Sequence, residues 1–426
     1  MNIFEDLTYR ELVYQVTSDE LPAIMNYARP GELTCYAGFD PTAKSLHLGN
    51  LIQILLLRRL QLAGMNVIAL VGGATALIGD PSGKAAERSI LDRDTGHDYL
   101  ESVRAQIDNL IDTSSTAARI VNNADWLESL NLVQFLRETG KYFTVNQMTS
   151  KESVRQRLAR PEQGISFTEF TYMLLQAYDF LQLYDNYGCR LQTGASDQWG
   201  NITMGVELIG RLRGVVAYGL TTPLLQRADG SKFGKTEEGT IWLDPALTSP
   251  YRFYQYLVRV DDSEVVFYLK ALTFLAADEI EDLREKTAGR PEKREAQLAL
   301  AREVCTVVHG PHATMQAQTA SDAIYSEDIA SLDDKLFAEV FSDAPHTILP
   351  GSVLDGNGYD IVDALAASGL SESKSRARTT VEQGGAYINN RRISSSEHFI
   401  DRSMLLHGRY LLLRRGKREY HLLEFL

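Results

Sequence analysis

The sequence predicts an α/β fold with a parallel sheet, followed by a helical region and a small α+β unit. Two apolar strands, Glu32–Phe39 and Asn66–Leu70, flank Leu46–Ala63, where leucines and isoleucines cover most of a helix. This strand–helix–strand order is typical of parallel pairing. Further strands are predicted at Cys189–Thr193 and Val215–Leu220, which extends the same sheet.

The pattern changes after Ser249-Pro250, where strand signals end and helix starts recur until Gly310-Pro311 interrupts them. The stretch Ser342–Gly358 is rich in Pro, Gly and Asp, which is typical of a linker. We therefore predict four segments: a Rossmann-like α/β domain over 1–247, an α-helical domain over 248–326, a linker over 327–358 and a small α+β domain over 359–426.

Composition bounds the class of protein. A chain of 426 residues exceeds what a single core supports, and 44% hydrophobic with 23% charged residues is typical of globular domains. The three cysteines, Cys35, Cys189 and Cys305, are too few and too scattered for a disulfide framework or a zinc site. No secretory signal and no membrane-spanning run is predicted, so we expect a cytoplasmic protein.

Charge is unevenly distributed along the chain. The net charge is −13, yet 371–418 holds eleven Lys or Arg against four Asp or Glu. An acidic body with a basic tail of this kind suggests that contact with a polyanion is confined to one end. Composition alone leaves a simply solvated basic surface equally open.

Two segments have the residue types of a phosphate site. His47, Gly49 and Asn50 lie where a strand gives way to a helix, whose N-terminus offers free N–H groups and a positive dipole end. Far downstream, Lys232–Thr236 (KFGKT) places two lysines around a glycine in a charged loop, which could clamp a triphosphate. Taken singly, each segment favours a structural explanation, as a capped helix with a chance His and as a solvated loop. Gly79–Lys84 resembles a P-loop but is one residue short, and Ala85 replaces its Ser or Thr.

Together these segments resemble the two signature motifs, HIGH and KMSKS, of class I aminoacyl-tRNA synthetases. The resemblance narrows to bacterial-type tyrosyl-tRNA synthetases and spans nearly the whole chain. Four segments carry it: Tyr36–Thr42 (YAGFDPT), Gly79–Lys84 (GDPSGK), Phe167–Phe180 (FTEFTYMLLQAYDF) and Gly194–Ile202 (GASDQWGNI). The chain departs from the family pattern at Asn50, which replaces the second His of HIGH, and in the loop, where KMSKS has become KFGKT.

A polar stripe lies within Phe167–Phe180, because Tyr172, Gln176 and Asp179 fall at i, i+4 and i+7 of a helix rich in apolar residues. Either an exposed helix face or a buried binding site fits the spacing, and the apolar density favours burial. The resemblance implies that Tyr172, Gln176 and Asp80 bind the α-ammonium of tyrosine, whereas Asp179 and Tyr36 hydrogen-bond its phenol. Such a pair would reject phenylalanine, which would leave both groups unpaired; this principle has a tyrosyl-tRNA synthetase as its own example.

The resemblance implies activation of tyrosine by ATP, with Mg²⁺ accompanying the nucleotide, and transfer to tRNA(Tyr). The groups that we expect to stabilise the leaving pyrophosphate are His47, Asn50, Lys232 and Lys235, assisted by Thr42 and Lys84. The residues expected to line the adenylate site are Gly38, Asp40, Gly49, Gly194, Asp197, Gln198 and Lys235. No tightly bound structural metal is expected.

The tail resembles an RNA-binding module named after a small-subunit ribosomal protein. Its predicted RNA-binding residues are Lys374, Arg376, Arg378, Arg391, Arg392, Arg415, Lys417 and Arg418. The resemblance also implies a homodimer, with 125–165 as a plausible interface. The aromatic residues Tyr251, Phe253, Tyr254 and Tyr256 are predicted to belong to the core rather than to a base-stacking surface.

Three alternatives share parts of this pattern. A tryptophan-specific relative has both nucleotide motifs, but Asp179 with Tyr36 favours a phenol. A small-molecule nucleotidyltransferase can have a similar His-x-Gly motif, but lacks the downstream lysine loop and basic tail. A non-catalytic RNA-binding paralogue is disfavoured by the intact lysines and pocket residues.

Overall fold

The structure, a computed structural model, describes residues 1–82, 92–159, 164–227, 229–236, 239–323, 326–342, 344–416 and 419–426. The predicted site residues Lys84, Lys417 and Arg418 lie outside these ranges. The chain divides into two compact units, Met1–Gly310 and Pro311–Leu426. Within the described ranges, no helix is long and apolar enough to span a membrane.

The first unit is built on a six-stranded sheet. The described strands of this unit are β1 (Gln15–Val16), β2 (Thr34–Phe39), β3 (Asn66–Val71), β4 (Ala118–Asn122), β5 (Cys189–Ala195), β6 (Tyr218–Thr222), β7 (Lys235–Thr236) and β8 (Gly239–Thr240). The large sheet has the order β1-β6-β5-β2-β3-β4, and β7 pairs with β8 in a separate hairpin. All its pairs are parallel except β1 with β6. The four predicted strands are confirmed, although the last begins at Tyr218 rather than Val215.

The strand order creates a switch point at the centre of this sheet. From β2 the chain proceeds outwards through β3 to β4, and then returns to the other side of β2 to form β5 and β6. Connections therefore leave the carboxyl ends of β2 and β5 in opposite directions, which opens a crevice between them. This geometry predicts where a ligand binds.

Helices cover the sheet. The described helices that lie within the first unit are α1 (Ile3–Tyr9), α2 (Leu21–Tyr27), α3 (Leu48–Leu62), α4 (Arg93–Asp108), α5 (Ala124–Leu127), α6 (Leu132–Glu138), α7 (Val145–Ser150), α8 (Glu152–Leu158), α9 (Phe167–Tyr187), α10 (Trp199–Arg213), α11 (Pro250–Val258), α12 (Val265–Leu272) and α13 (Ala277–Gly289). The next helix, α14 (Glu295–Ala323), begins in the first unit and ends in the second. Helix α14 is interrupted at Gly310, whose φ of 83° is not helical. The predicted break at Gly310-Pro311 is therefore confirmed, and it coincides with the limit of the first unit.

Two helices matter most for the site. Helix α3 is apolar on nearly all sides, and Leu51, Ile54 and Leu55 are fully buried, as expected for a helix enclosed by other elements. Helix α9 packs along α10, and Phe180 from α9 joins Tyr36 of β2 in one core cluster. The predicted helices at both positions are confirmed.

The second unit contains a second sheet. Its described strands are β9 (His346–Leu349), β10 (Tyr359–Asp360), β11 (Ala386–Ile388), β12 (Arg391–Ile393), β13 (Phe399–Ile400), β14 (Tyr410–Arg415) and β15 (Glu419–Phe425), and its helices are α15 (Asp334–Val340), α16 (Ile361–Ala367) and α17 (Lys374–Glu382). Five strands form a sheet of order β12-β11-β14-β15-β9, on which α16 and α17 pack through Leu365 and Val381. The α+β prediction for this region is confirmed.

The prediction of a linker over 327–358 is wrong. This segment contains α15, and its strand β9 pairs in parallel with the last strand, β15, from His346 opposite Leu422 to Leu349 opposite Phe425. The Pro- and Gly-rich composition obscured a four-residue edge strand, which has too few alternating positions to stand out in sequence. The division at residue 247 between the α/β and helical domains stays a prediction, because the first unit includes residues on both sides of it.

Candidate active site

A cavity of about 530 Å³ opens at the switch point of the first unit. It is lined by Gly38 and Phe39 at the end of β2, by Gly194 of β5, and by Pro223 directly after β6. The carboxyl edge of a parallel sheet is where such folds bind ligands. The location therefore follows from the topology rather than from any single motif.

The cavity brings the predicted site residues together. The predicted residues that line it are Tyr36, Gly38, Asp40, Thr42, His47, Gly49, Asn50, Asp80, Tyr172, Gln176, Asp179, Gly194, Asp197, Gln198, Lys232 and Lys235. They come from segments more than 190 residues apart in the chain. Their individual roles remain predictions, but the shared cavity that those roles require is present.

The polar stripe of α9 points into the cavity. Tyr172 and Asp179 are 6% and 2% exposed, so the alternative of a solvated helix face is wrong. Each oxygen of Asp179 accepts one hydrogen bond, from Trp126 Nε1 at 2.7 Å and from Asn123 Nδ2 at 3.1 Å. Because a carboxylate oxygen has two lone pairs, Asp179 can accept a further bond from a ligand.

This carboxyl is one end of a hydrogen-bonded chain. Asn123 Nδ2 also donates to Thr75 Oγ1 at 2.9 Å, and Thr75 donates to Asp40 Oδ1 at 2.7 Å. Tyr172 donates to the other oxygen of Asp40 at 2.8 Å. The network thereby joins α9, β2 and the turns after β3 and β4, and holds its side chains in fixed positions.

Burial controls the ionisation of Asp179 and of its neighbour Tyr36 in the cavity. It raises the pKa of Asp179 to about 7, against the opposing hydrogen bonds from Asn123 and Trp126. Burial, helped by the charge of Asp179, raises the pKa of the Tyr36 phenol well above its ordinary value. Within the described part of the chain, the Tyr36 hydroxyl is buried without a hydrogen-bond partner. An unsatisfied hydroxyl beside an acceptor is suited to a ligand that both donates and accepts.

A second polar cluster lies between α9 and α10. Gln176 accepts from Asn201 Nδ2 at 2.9 Å, and Gln198 Nε2 donates to Asp80 Oδ2 at 2.7 Å. Asp80 Oδ1 accepts from the Ser82 backbone at 2.9 Å, so the described start of the GDPSGK segment presents a carboxylate rather than a phosphate nest. A negative group among amide side chains is suited to an ammonium ion.

The N-terminus of α3 forms the opposite end of the cavity. His47 is its N-cap, and the backbone N–H of His47 donates to Asn50 Oδ1 at 3.0 Å. Burial, with the charges of Lys235 and Lys232, lowers the pKa of His47 to about 4. The imidazole is therefore neutral at pH 7, so it can act there as a hydrogen-bonding group but not as a cation.

The lysine loop lies against this helix terminus. Lys232 and Lys235 are exposed, whereas Phe233 between them is only 4% exposed. Gly234 has a φ of 83°, and a Cβ there would come within 3.1 Å of Leu48 Cβ, so the position favours glycine. The loop therefore directs two cations at a cavity whose helix end already favours anions.

Several residues of the site were missed in the sequence. Asn123 and Trp126 hold Asp179, Thr75 bridges to Asp40, and Gln192 lines the cavity with an unpartnered, buried oxygen, as judged over the described ranges. A usable signal was present for Asn123, which directly follows β4, because polar residues at the carboxyl end of a parallel strand lie at the edge where ligands bind. Trp126 lies further on, in α5.

The predicted RNA-binding residues lie on the second unit, mostly in local contacts. Lys374 pairs with Asp363 at 2.7 Å, and Arg391 with Glu327 at 3.1 Å. Arg392 Nε donates to the Gly384 carbonyl at 2.9 Å. Other polar partners of the predicted set are Glu372 for Arg376 and Glu419 for Arg415, and Arg378 is exposed. These exposed pairs are weak in water and can be exchanged for a polyanion.

The chain matches two known protein families. The family described as tRNA synthetases class I (W and Y) matches residues 29–326, and the tyrosine–tRNA ligase SYY-like C-terminal domain matches residues 337–423. The tyrosine–tRNA ligase of Roseiflexus castenholzii is 48% identical over 99% of both chains. That of Geobacillus stearothermophilus is 47% identical over the full length of both.

A solved structure agrees. The C-terminally truncated mitochondrial tyrosyl-tRNA synthetase of Aspergillus nidulans has a TM-score of 0.68 and 31% identity, covering 76% of this chain and 94% of that one. A tryptophanyl-tRNA synthetase from Encephalitozoon cuniculi shares the fold, with a TM-score of 0.54 and 15% identity. The chain belongs to the class I aminoacyl-tRNA synthetases, within the bacterial-type tyrosyl-tRNA synthetase family.

Proposed function

We infer that the chain is an enzyme that activates tyrosine with ATP and transfers it to tRNA(Tyr). The observation that carries this inference is the pairing of two ends in one cavity. Asp179 and the Tyr36 hydroxyl, which has no hydrogen-bond partner among the described residues, form a closed, buried end, and His47 with two lysines forms an open, cationic end. The first suits a phenol and the second a triphosphate.

Tyrosine binds at the closed end in this proposal. Its phenol donates to Asp179 and accepts from Tyr36, and this satisfies both buried groups at once. Its ammonium lies among Asp80, Gln176 and Tyr172, at the other end of the polar stripe from Asp179. Phenylalanine would leave the buried Tyr36 hydroxyl without a partner, at a cost of about 1–3 kcal/mol, and would leave unused the further lone pairs of Asp179.

ATP binds across the switch point. The adenosine half lies against Gly38, Gly49 and Gly194, where the missing side chains leave room for it. Further contacts that we propose for the adenylate come from Asp40, Asp197 and Gln198. Burial raises the pKa of Asp197, with help from the charge of Asp80, so its carboxyl is suited to a neutral hydroxyl.

The first step needs no general base, because the tyrosine carboxylate is already an anion. A carboxylate oxygen attacks the α-phosphorus, and the bond from that phosphorus to the bridging oxygen breaks to release pyrophosphate. Lys232 and Lys235 neutralise the charge that develops on pyrophosphate, while neutral His47 and Asn50 form hydrogen bonds to it, with Thr42 and Lys84 assisting. Catalysis is thus positioning and electrostatic stabilisation.

In the second step a ribose hydroxyl at the 3′ end of tRNA attacks the adenylate carbonyl, and AMP leaves. No covalent enzyme intermediate is required. We propose that Mg²⁺ accompanies ATP as its phosphate-bound ion. Among the described residues, no group of three or more His, Cys, Asp or Glu side chains is placed to hold a metal.

Three proposals concern the rest of the molecule. The basic residues of the second unit bind tRNA(Tyr) through phosphate contacts, so binding weakens with salt. Two copies of the chain associate through the predicted 125–165 region, where exposed apolar side chains cluster in sequence: Leu132, Val133, Leu136, Val145 and Leu158. The location is cytoplasmic, consistent with three buried, unpaired cysteines.

The decisive experiment is ATP–pyrophosphate exchange with tyrosine, tryptophan and phenylalanine offered separately. Exchange with tyrosine alone is the expected result, followed by charging of tRNA(Tyr). Exchange with tryptophan instead would transfer the assignment to the tryptophan-specific relative. Tight tRNA binding without exchange for any amino acid would indicate a non-catalytic RNA-binding protein.

A further inference from the structure

The lysine loop is anchored from outside by one tyrosine of α11. The backbone N–H of Gly234 donates to the Tyr256 hydroxyl at 2.8 Å, and Arg227 Nη2 donates to the same oxygen at 3.2 Å. The phenol oxygen has two lone pairs, so both bonds can exist together. Tyr256 was predicted to be a core residue, but it is only half-buried, and its polar end contacts the loop.

Apolar packing supports the same anchor. Phe233, the residue between Lys232 and Gly234, lies with its ring centroid 5.3 Å from that of Tyr256 and 3.9 Å from that of Tyr268 on α12. Tyr268 in turn donates to the Gln226 carbonyl at 3.0 Å, at the start of the loop. The phenylalanine is therefore a buried wedge, and the lysines on either side of it remain exposed.

The anchored peptide also connects to the first turn of α3. The Gly234 carbonyl accepts from the Ile241 N–H at 2.8 Å, and the Ile241 carbonyl accepts from the Leu48 N–H at 3.0 Å. Leu48 directly follows His47, the N-cap of that helix. A short series of hydrogen bonds thus runs from the Tyr256 hydroxyl through the backbone of Gly234 and Ile241 to the N-terminus of α3.

We propose that Tyr256 is a positioning residue for the activation step. Its hydroxyl fixes the Gly234 peptide, and that peptide sets where Lys232 and Lys235 stand relative to the N-terminus of α3. Tyr256 does not line the cavity, so it acts through the lysines rather than on the substrate. The proposal rests on the proposed function, since the lysines gain their role from the triphosphate.

The test is Tyr256→Phe, which removes one hydroxyl and keeps the ring that packs on Phe233. Losing a hydrogen bond that holds the loop in its observed position lowers the population of that position, so we expect the activation rate to fall about fivefold to tenfold. The dissociation constant for tyrosine should stay unchanged, because the closed end of the cavity makes no use of the loop. A matched control is Tyr9→Phe, whose hydroxyl donates to the Ala277 carbonyl at 3.1 Å in the same unit.

A second measurement follows the loop without any activity. Trypsin can cut after Arg227, Lys232 and Lys235, so mass spectrometry of limited digests reports how often the loop opens. We expect faster cleavage at these sites in Tyr256→Phe and an unchanged rate in Tyr9→Phe. Equal cleavage in wild type and Tyr256→Phe would overturn the proposal, as would an equal activation rate or a parallel loss of tyrosine binding. If the wild type lacked exchange altogether, the proposed function would fail, while the digests would still decide whether Tyr256 holds the loop.

Discussion

The two ends of the cavity satisfy their polar groups in different ways. At the closed end of the cavity, called the tyrosine end because we propose that tyrosine binds there, Asp179 is 2% exposed. It already accepts hydrogen bonds from Trp126 and Asn123, within a network that continues to Asp40. At the open, cationic end, called the nucleotide end because we propose that ATP binds there, Lys232 and Lys235 are exposed on a loop with a positive-φ glycine between them. Under the proposed assignment of the two ends, the protein supplies a preorganised site for tyrosine and an adjustable one for ATP.

This difference follows from what each ligand can tolerate. A phenol is recognised by two directional bonds in a place without water, so a displaced acceptor leaves a buried group unpaired. A triphosphate is recognised by charge, which acts over longer distances and permits movement. We therefore expect changes at the tyrosine end to alter binding, and changes at the nucleotide end to alter rate.

Replacing Lys235 by Ala should have the largest effect. Removing one group that stabilises developing charge typically costs about 10²–10³ in rate, so exchange should fall by that factor. Tyrosine binding, measured at equilibrium without ATP, should remain near normal. The control is Lys44→Ala, since Lys44 is an exposed lysine of a neighbouring segment that does not line the cavity. Equal loss of exchange and tyrosine binding would contradict the division between the two ends.

Asp179→Asn should produce the opposite pattern. The amide must turn its NH₂ group either against the donors of Trp126 or Asn123 or against the tyrosine phenol that donates to Asp179 in the proposed complex, so the bond to the substrate is lost or displaced. Loss of such a bond costs about 1–3 kcal/mol, which corresponds to tyrosine binding weaker by about tenfold to a hundredfold. Calorimetric titration of the variant with tyrosine measures this loss of affinity. Asp185→Asn on the same helix, where Asp185 pairs with Arg213 at 2.6 Å near the surface, is the control and should bind normally.

The same carboxyl predicts a pH dependence of stability. The pKa of Asp179 rises from an ordinary 3.8 to about 7 in the folded protein, so the folded state holds a proton that the unfolded state has released. This contribution is fully present below about pH 4 and is lost as pH rises through 7. We expect the Tm of Asp179→Asn to fall less than that of wild type between pH 5 and 8. Parallel Tm profiles of the two proteins would show that burial does not hold this proton.

Much of this arrangement could be predicted from the sequence. The strands beside α3 and the helix over Phe167–Phe180 depend on local periodicity, and that signal is strong. Each nucleotide motif alone is a weak signal, because a capped helix or a solvated loop explains it as well. The convergence of His47 with Lys232 and Lys235 depended on the family resemblance, because nothing local to either segment indicates the other. Topology then supplies the physical reason, since both segments reach the carboxyl edge of one sheet.

Other features could not be predicted, for identifiable reasons. Asp179 contacts Asn123, directly after β4, and Trp126, in α5, and these contacts depend on how a distant strand aligns with α9. Strand β9 is short, lies at a sheet edge and belongs to a Pro- and Gly-rich stretch. That composition is typical of a linker, so the strand was not predicted. The neutral state of His47 arises from burial and two lysines nearly 190 residues away, and residue type alone suggested a cation as readily as a neutral donor.

Asn50→His should have the smallest effect, and it sharpens the comparison from the nucleotide side. Asn50 Oδ1 accepts the His47 N–H at 3.0 Å, while its amide NH₂ remains available to a phosphate oxygen. A neutral imidazole can divide the same two tasks between Nδ1 and Nε2–H, so exchange should stay within about threefold of wild type. Asn50→Ala removes both bonds, one of which is the capping contact to the backbone of the N-cap residue His47, so it should lower the rate about tenfold and destabilise the fold by about 0.5–2 kcal/mol. If Asn50→His instead lost as much as Asn50→Ala, the nucleotide end would depend on the shape of the side chain as strictly as the tyrosine end does, and the contrast between an adjustable and a preorganised site would not hold.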